Sequence, residues 1–260
     1  MSVTFVITTS DKAVRKQRRD TASKVIKYFA EVLPDLRLKV ILDCMEWDEL
    51  KANGEENRGL FALVNEHEFH DTNWPLHFRD RLAIVNEQTL KASYTCDAAI
   101  YLHNSTCEST ESLTMTLAHE MQHFVQYGNN RTIFAFNNLI LKLPRRTLAE
   151  LGLTWHDIPT EREARIIAKR ASEELLGTQA TKAYIDDNVR TGTIPRDVAD
   201  WKAIREIDTT AELAYDPTVE THRLFQRLRL VRPALEEELT KLRYLPAYAE
   251  LNLDDAFDPE

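Results

Sequence analysis

The sequence is poor in glycine, with 6 glycines in 260 residues, where soluble proteins average about 7%. Several of them stand where predicted helices end, at Gly128, Gly152, Gly177 and Gly192. A left-handed glycine commonly closes a helix, and tight hairpins also need glycine. The scarcity and the placement together predict a helix-rich fold with few tight hairpins.

Cysteine is also scarce, and its three copies, Cys44, Cys96 and Cys107, have no metal-binding spacing. The first ten residues lack the charged start and apolar stretch of a signal peptide. An odd, sparse cysteine count without an export signal is typical of a reducing cytoplasm. No apolar stretch is long enough to span a bilayer. We therefore expect a cytoplasmic protein that does not insert into membranes.

Positive charge is in deficit, since 33 Lys and Arg face 42 Asp and Glu, for a net charge of -9. The field of such a protein disfavours nonspecific nucleic-acid binding. Residues 12–19 form a basic stretch, but a solvated helix face is the commoner explanation of such a run. Nucleic acid is therefore not an expected partner, and the sequence does not indicate an oligomeric state.

One motif stands out, His119-Glu120-Met121-Gln122-His123, which reads HExxH. On a helix, residues four apart share a face, so both imidazoles can reach one ion. Zinc activates a bound water, and a carboxylate beside the first His can take its proton. The pattern predicts His119 and His123 as metal ligands and Glu120 as general base. Two solvated histidines on an ordinary helix are the alternative.

The flanking sequence favours a helix around this motif. Residues 109–127 contain neither proline nor glycine, and Gly128 is predicted to end the helix. An apolar stripe at helical spacing runs along it, through Leu113, Leu117, Met121 and Phe124. The two histidines fall largely off this stripe, so they are free to face an ion.

A catalytic zinc needs a third protein ligand. The extended motif HExxHxxGxxH is excluded, because the chain has Gln126 and Asn129 at its last two fixed positions. A second predicted helix, opening at Pro159 or Thr160, carries a candidate carboxylate in its first turn.

Glu161 and Glu163 both qualify by distance in sequence, but a helix turns them about 200° apart, so only one can face the ion. Glu161 continues a face of small residues, Ala164, Ala168 and Ala171. A carboxylate on such an inward face is costly unless it binds a cation. An exposed first-turn Glu favoured by the helix dipole is the alternative. Glu163 lies on a charged face and is expected to assist a His ring N–H.

HExxH on one helix and a Glu on the next resembles the arrangement of the gluzincin zinc metallopeptidases. The string Glu161-Arg162-Glu163-Ala164 is similar to the ExxA segment of compact gluzincins, including ImmA/IrrE-type proteins. The resemblance covers residues 36–177 and implies a Zn²⁺ site with His119, His123 and Glu161 as ligands and Glu120 as base. Several gluzincins have an acidic or amide residue four positions after the ligand Glu, where this chain has Arg165.

The expected fold class is α+β and zincin-like, with a small mixed sheet packed on the HExxH helix and a helix-rich C-terminal part. We expect a metallopeptidase domain over 1–177, a helical extension over 178–250 and an acidic tail over 251–260. Alternating apolar residues predict strands, and 3.6-residue periodicity predicts helices. The predicted strands are 3–7, 36–42, 60–64, 82–85 and 98–102, and the predicted helices are 10–33, 160–176, 179–190, 197–207 and 218–243. The stretch 131–143 is ambiguous.

The expected function is zinc-dependent hydrolysis of a peptide or protein substrate, with Glu120 as general base. The alternative is a non-proteolytic regulatory or structural protein on the same zinc-binding scaffold, because a fold does not settle activity. Glu120 favours the enzyme, since it is not a ligand. The substrate is expected along strand 82–85 or strand 98–102. The group that stabilises the oxyanion stays open among Tyr127, Tyr184, Tyr215, His156 and His222.

Overall fold

The computed structural model describes residues 2–7, 9–44, 58–63, 97–141 and 145–231. Within these ranges four strands form one mixed sheet in the order β1-β2-β4-β3. The strands are β1 (Ser2–Ile7), β2 (Arg37–Cys44), β3 (Gly59–Leu63) and β4 (Ala98–His103). Strands β1, β2 and β4 are parallel, and β3 runs antiparallel to β4. The predicted strand 82–85 lies outside the described residues.

Helices make up most of the described chain, as the glycine count predicts. They are α1 (Lys12–Tyr28), α2 (Thr110–Asn129), α3 (Arg131–Leu141), α4 (Arg145–Glu150), α5 (Pro159–Leu176), α6 (Thr178–Thr191), α7 (Pro195–Glu206) and α8 (Pro217–Val231). The expected α+β class is confirmed, and the ambiguous stretch 131–143 is helical over α3. None of the described helices is both long enough and apolar enough to cross a bilayer.

One face of the sheet packs on α1 and α2. Alternate residues of β2 and β4 supply this face, namely Leu38, Val40, Leu42, Ala98, Ile100 and Leu102, and all are buried. The apolar stripe of α2 lies in the same core, with Leu113, Leu117, Met121 and Phe124 almost fully enclosed. Burial of this stripe fixes the rotation of α2 about its axis, which turns the two motif histidines off the core.

The helix that carries the motif is longer than predicted. Ser109 caps its first turn by accepting from the Ser112 N–H, and the helix continues to Asn129. Gly128 is therefore inside α2, and the prediction that it ends the helix is wrong. A Cβ at Gly128 would overlap the Pro34 ring, so this glycine allows a close approach. Gly152 and Gly177 do follow helices with positive φ, at 64° and 94°.

Helix α1 ends earlier than the predicted 10–33. Asp11 caps it by accepting from the Ala13 and Val14 N–H groups, and Phe29 follows its last turn. Thr21, Val25 and Phe29 are buried as expected, whereas Val32 is 51% exposed because it lies beyond the helix. The apolar pattern in the sequence therefore continues one turn beyond the end of α1.

The C-terminal helices share the core of the sheet. Ile185 of α6 and Trp201 of α7 belong to the same buried cluster as the strands and α2. A second cluster joins α3, α4, α5 and α8 through Phe136, Ile140, Leu148, Leu153, Ile158 and Leu224. The division at residue 177 stays a prediction, and part of the predicted extension lies outside the described residues.

Candidate metal centre

His119 and His123 project side by side from α2. Their Nε2 atoms are 3.1 Å apart. His123 is buried, and the His119 side chain is 22% exposed. About one turn of helix separates the two residues, so the backbone places both rings on one side of α2. The pair therefore presents two nitrogen donors at one point, open to solvent on the His119 side.

Glu161, in the first turn of α5, lies against both rings. Its Oε1 is 3.3 Å from His123 Nε2, and its Oε2 is 3.6 Å from His119 Nε2. Ala164, Ala168 and Ala171 are buried on the same face of α5. Their small side chains allow α5 to approach α2 closely, and these two helices form the most extensive element pair among the described residues.

The spacing of these three donors fits a metal ion. Donor atoms about 2.1 Å from a tetrahedral zinc lie roughly 3.4 Å apart. The two Nε2 atoms are 3.1 Å apart, and the nearest Glu161 oxygen is 3.3 Å from His123 (Oε1) and 3.6 Å from His119 (Oε2). All three residues offer one donor atom within 4.8 Å of the others. His119, His123 and Glu161 thus form a cluster that could hold a metal ion, with a fourth position left for another ligand.

Gln126 controls the tautomer of His123. Its Nε2 donates to the Thr160 carbonyl and to Glu163 Oε2, each at 2.8 Å. Its Oε1 must then accept, and His123 Nδ1 lies 2.8 Å away. The proton therefore sits on Nδ1, which leaves Nε2 of His123 as the lone-pair donor that a metal requires.

Glu163 is not part of the ion cluster, and it is half-buried, whereas its charged face predicts a solvated side chain. Its carboxylate accepts from Gln126 and also from Gln122. Burial raises the pKa of Glu163, while these two hydrogen bonds oppose the rise. The expected assistance to a His ring is therefore indirect, because Gln126 stands between Glu163 and His123.

Trp155 orients the Glu161 carboxylate from the other side. It lies in the 3-10 turn Trp155–Asp157, just before α5. Its Nε1 donates to Glu161 Oε2 at 2.8 Å. This hydrogen bond restricts rotation of the carboxylate, so both of its oxygens stay directed at the imidazoles.

The electrostatics of the cluster favour a bound cation. Burial raises the pKa of Glu120. Burial also opposes ionisation of Glu161, yet the two histidines hold its pKa well below the ordinary value. For His123, burial alone would lower the pKa, but the Glu161 carboxylate outweighs it and raises the pKa to about 9. The carboxylates thus favour the positively charged form of His123, and a divalent cation would supply the same positive charge.

Glu120 lies between the ion cluster and strand β3. A hydrogen bond from the Phe61 N–H to the Glu120 carboxylate lowers the pKa of Glu120, against the larger effect of burial. Arg58, just before β3, and His103, at the end of β4, face each other as a backbone hydrogen-bonded pair, because the His103 N–H donates to the Arg58 carbonyl. Along an antiparallel strand, the backbone N–H and C=O groups of successive residues point alternately toward and away from the neighbouring strand. Since those of Arg58 point toward β4, those of Phe61, three residues later, point away from it. The Glu120 carboxylate therefore sits at the outer edge of β3.

Gly59 brings β3 against α2. A Cβ at this position would lie 2.8 Å from Thr116 Cγ2 and 3.0 Å from Glu120 Cγ. No side chain fits there without displacing its neighbours. The glycine therefore sets the distance between the outer edge of β3 and the carboxylate of Glu120.

The side chains left open as oxyanion groups have separate surroundings. The Tyr215 hydroxyl donates to the Pro159 carbonyl at 3.3 Å. Tyr184 packs edge-on against Trp201, and Tyr127 lies under the Arg131 guanidinium. His156 Nδ1 is 2.9 Å from Asp200 Oδ1. Tyr215 is thereby committed to the backbone of α5, whereas His156 belongs to a charged group beside Glu161.

Sequence reasoning missed Gln126, Trp155 and Asp200. Gln126 had a usable signal, because it follows His123 by three residues and neighbours it on the helix. Trp155 and Asp200 had none, since they reach the site only through the packing of a turn and of α7 on α5.

Comparison with known proteins gives no match, whether with protein families, with curated proteins or with solved structures. The resemblance to gluzincins therefore depends on the motif residues and on the geometry of the cluster.

Proposed function

We propose that this protein is a zinc-dependent metallopeptidase. The observation that carries the proposal is the meeting of His119, His123 and Glu161 with Glu120 directly beside them. Two imidazoles and one carboxylate are a ligand set used by catalytic zinc, and they leave one position open. A zinc ion held there would polarise a carbonyl and make a bound water more acidic. Glu120 has no need to be a ligand, so its presence favours catalysis over a purely structural site.

Glu120 acts as the base in this proposal. Its carboxylate takes one proton from the attacking water as the water oxygen bonds to the carbonyl carbon. It then delivers that proton to the leaving nitrogen as the C–N bond breaks, which yields a carboxylic acid and an amine. The pKa of Glu120 is raised by burial, and a raised pKa suits a group that must both accept and return a proton.

The outer edge of β3 is the proposed docking line for the substrate. Strand β4 contains the expected stretch 98–102, but it pairs with β2 on one side and β3 on the other. Its backbone groups are therefore already used. Strand β3 is at the edge of the sheet in the described part of the chain, and Glu120 lies at that edge. An extended peptide added there would present its backbone to Glu120.

The test combines metal analysis with a peptide-library digest followed by mass spectrometry. Wild-type protein is expected to bind about one zinc per chain and to cleave peptides in a chelator-sensitive way. Glu120→Gln keeps the size and loses the base, so zinc content should stay near wild type while hydrolysis falls by about 100-fold or more. Glu111→Gln, in the first turn of the same helix, is the matched control and should behave as wild type.

Two outcomes would contradict the proposal. Full zinc content in a His119→Ala/His123→Ala double variant would remove the metal assignment. Equal cleavage by the wild type and by Glu120→Gln would remove the mechanism. Zinc bound at the cluster without any cleavage would favour the alternative, a regulatory or structural protein on this scaffold.

A further inference from the structure

A charged group adjoins the metal cluster on the side of α7. Arg165 Nη2 lies 3.1 Å from Asp200 Oδ1 and 3.9 Å from Glu161 Oε2. His156 Nδ1 approaches the same Asp200 oxygen at 2.9 Å, outside hydrogen-bond alignment. Glu161 and Arg165 are one turn apart on α5, so Arg165 follows the ligand carboxylate directly.

Arg165 is a buried cation whose two nearby carboxylates, Glu161 and Asp200, have other contacts as well. Its side chain is 6% exposed, and a guanidinium stays charged at any ordinary pH. The Asp200 oxygen that Arg165 approaches also lies 2.9 Å from His156 Nδ1. Glu161 is the other nearby carboxylate. With a divalent cation bound at the cluster, the negative charge of Glu161 would be balanced by that cation and not by Arg165. A charged side chain this deeply buried usually has a partner that balances it.

One donor of Arg165 has no acceptor. Its Nη1 is enclosed by protein and makes no hydrogen bond within the described residues. Leaving a buried N–H unpaired destabilises the folded protein, and the cost is greater for a charged group. Such groups are rare in folded proteins, and an ordered water, a bound species, local strain or a catalytic use accounts for them. The unpaired donor belongs to a guanidinium whose other terminal nitrogen, Nη2, is 3.9 Å from Oε2 of the candidate metal ligand Glu161.

From these contacts we infer that Arg165 binds the carbonyl oxygen of the substrate and stabilises the oxyanion formed from it. The inference rests on the proposed function. As the water oxygen bonds to the carbonyl carbon, the π electrons move to the carbonyl oxygen and the water proton passes to Glu120. The guanidinium of Arg165 then donates to that oxygen. Asp200 is a positioning residue, because its carboxylate accepts from Arg165 Nη2 and so orients the guanidinium.

Inorganic phosphate tests this inference without any peptide, because it is a tetrahedral oxyanion. Its affinity for zinc-loaded full-length protein is measured by calorimetry, beside that of imidazole, a neutral zinc ligand. Arg165→Met keeps the length of the side chain and removes its donors. We expect phosphate affinity to fall by about 10-fold to 100-fold, the usual value of a charged hydrogen bond, while zinc content and imidazole affinity change little.

Arg162→Met is the matched control, since Arg162 lies on the same helix but pairs with Glu212 away from the cluster. It should leave both affinities at the wild-type level. Arg165→Lys retains a cation and should recover part of the phosphate affinity, and it replaces Arg165→Met if that variant does not fold. A role limited to joining α5 to α7 would not change the ratio of phosphate to imidazole affinity.

An unchanged ratio in both Arg165 variants, with zinc bound, would overturn the inference and leave the proposed function intact. Failure of the wild-type protein to bind zinc would overturn the proposed function itself. The two failures are therefore distinguishable in one set of titrations.

Discussion

At the scale of single residues, the cluster depends on side chains that are not metal ligands. Gln126 places the proton of His123 on Nδ1, and Trp155 fixes the Glu161 carboxylate. Each does so with one hydrogen bond of 2.8 Å. Outer partners of this kind typically contribute 10-fold to 100-fold in metal affinity. The donor geometry is therefore a property of at least five side chains, of which HExxH supplies two.

The two first-turn glutamates of α5 should differ sharply in their effect on zinc affinity. Glu161→Ala removes a donor atom, so we expect zinc affinity to fall by more than about 100-fold. Glu163→Ala removes no donor atom of the cluster but only the acceptor of Gln126 and Gln122, and a loss of roughly 10-fold or less is expected. Competition against a chromophoric chelator measures both. A larger loss with Glu163→Ala than with Glu161→Ala would reverse the assignment of the third ligand.

At the scale of elements, three pieces of secondary structure meet at the cluster. Helix α2 supplies both histidines and Glu120, α5 supplies Glu161 and Arg165, and β3 supplies the N–H that Glu120 accepts. Small residues allow each close approach, because alanines line the α5 face and Gly59 lies against α2. The base is thus held between a helix and a strand edge.

Gly59→Ala tests the contact between β3 and α2. The added methyl would lie 2.8 Å from Thr116 Cγ2 and 3.0 Å from Glu120 Cγ, so the strand or the base must shift. Overpacking of this kind costs about 1–3 kcal/mol. We expect the free energy of unfolding to drop by that amount in denaturant titrations, and any hydrolysis to fall more than zinc affinity does.

Thr116→Ser supplies the matched partner for this experiment, because it removes the methyl that the new Cβ would meet. Combined with Gly59→Ala it should recover part of the lost stability, which a double-mutant cycle measures as coupling. Additive losses in the double variant would mean that β3 does not lie against Thr116.

At the scale of the whole molecule, the sheet, α2 and the C-terminal helices form one continuous core. Trp201 of α7 packs edge-on against Tyr184 and lies under the guanidinium of Arg58, the residue before β3. Asp200, its neighbour in α7, holds Arg165. Helix α7 therefore contacts both the residue before β3 and helix α5, which carries Glu161.

Metal should stabilise the whole fold, because its ligands come from two helices that separate on unfolding. Zinc at about 100 times its dissociation constant adds roughly 2.7 kcal/mol by mass action. For a chain of this size that raises Tm by about 5 to 10 °C. Thermal melts with and without chelator measure the shift. The His119→Ala/His123→Ala variant is the control, and a chelator response of equal size in it would place the stabilising metal elsewhere.

The sequence by itself determined the local features of this protein. Residue periodicity located the four described strands and helices α5 to α7 to within about two residues, because burial on one face follows the 2.0 and 3.6 repeats of the backbone. The four-residue spacing of His119 and His123 also needed only helix geometry. The wrong predictions were local as well. Gly128 was expected to end a helix, but it lies inside α2, where the missing side chain makes room for Pro34.

Only the tertiary structure decided which distant residues meet at the cluster. Whether Glu161 or Glu163 faces the histidines depends on how α5 rotates against α2, and a two-residue change of register would exchange them. Asp200 reaches Arg165 only because α7 packs on α5, and the outer edge of β3 exists only because β4 is paired on both sides. Such contacts join residues far apart in the chain. Many pairings of that kind are compatible with one local pattern, and packing of the common core selects among them.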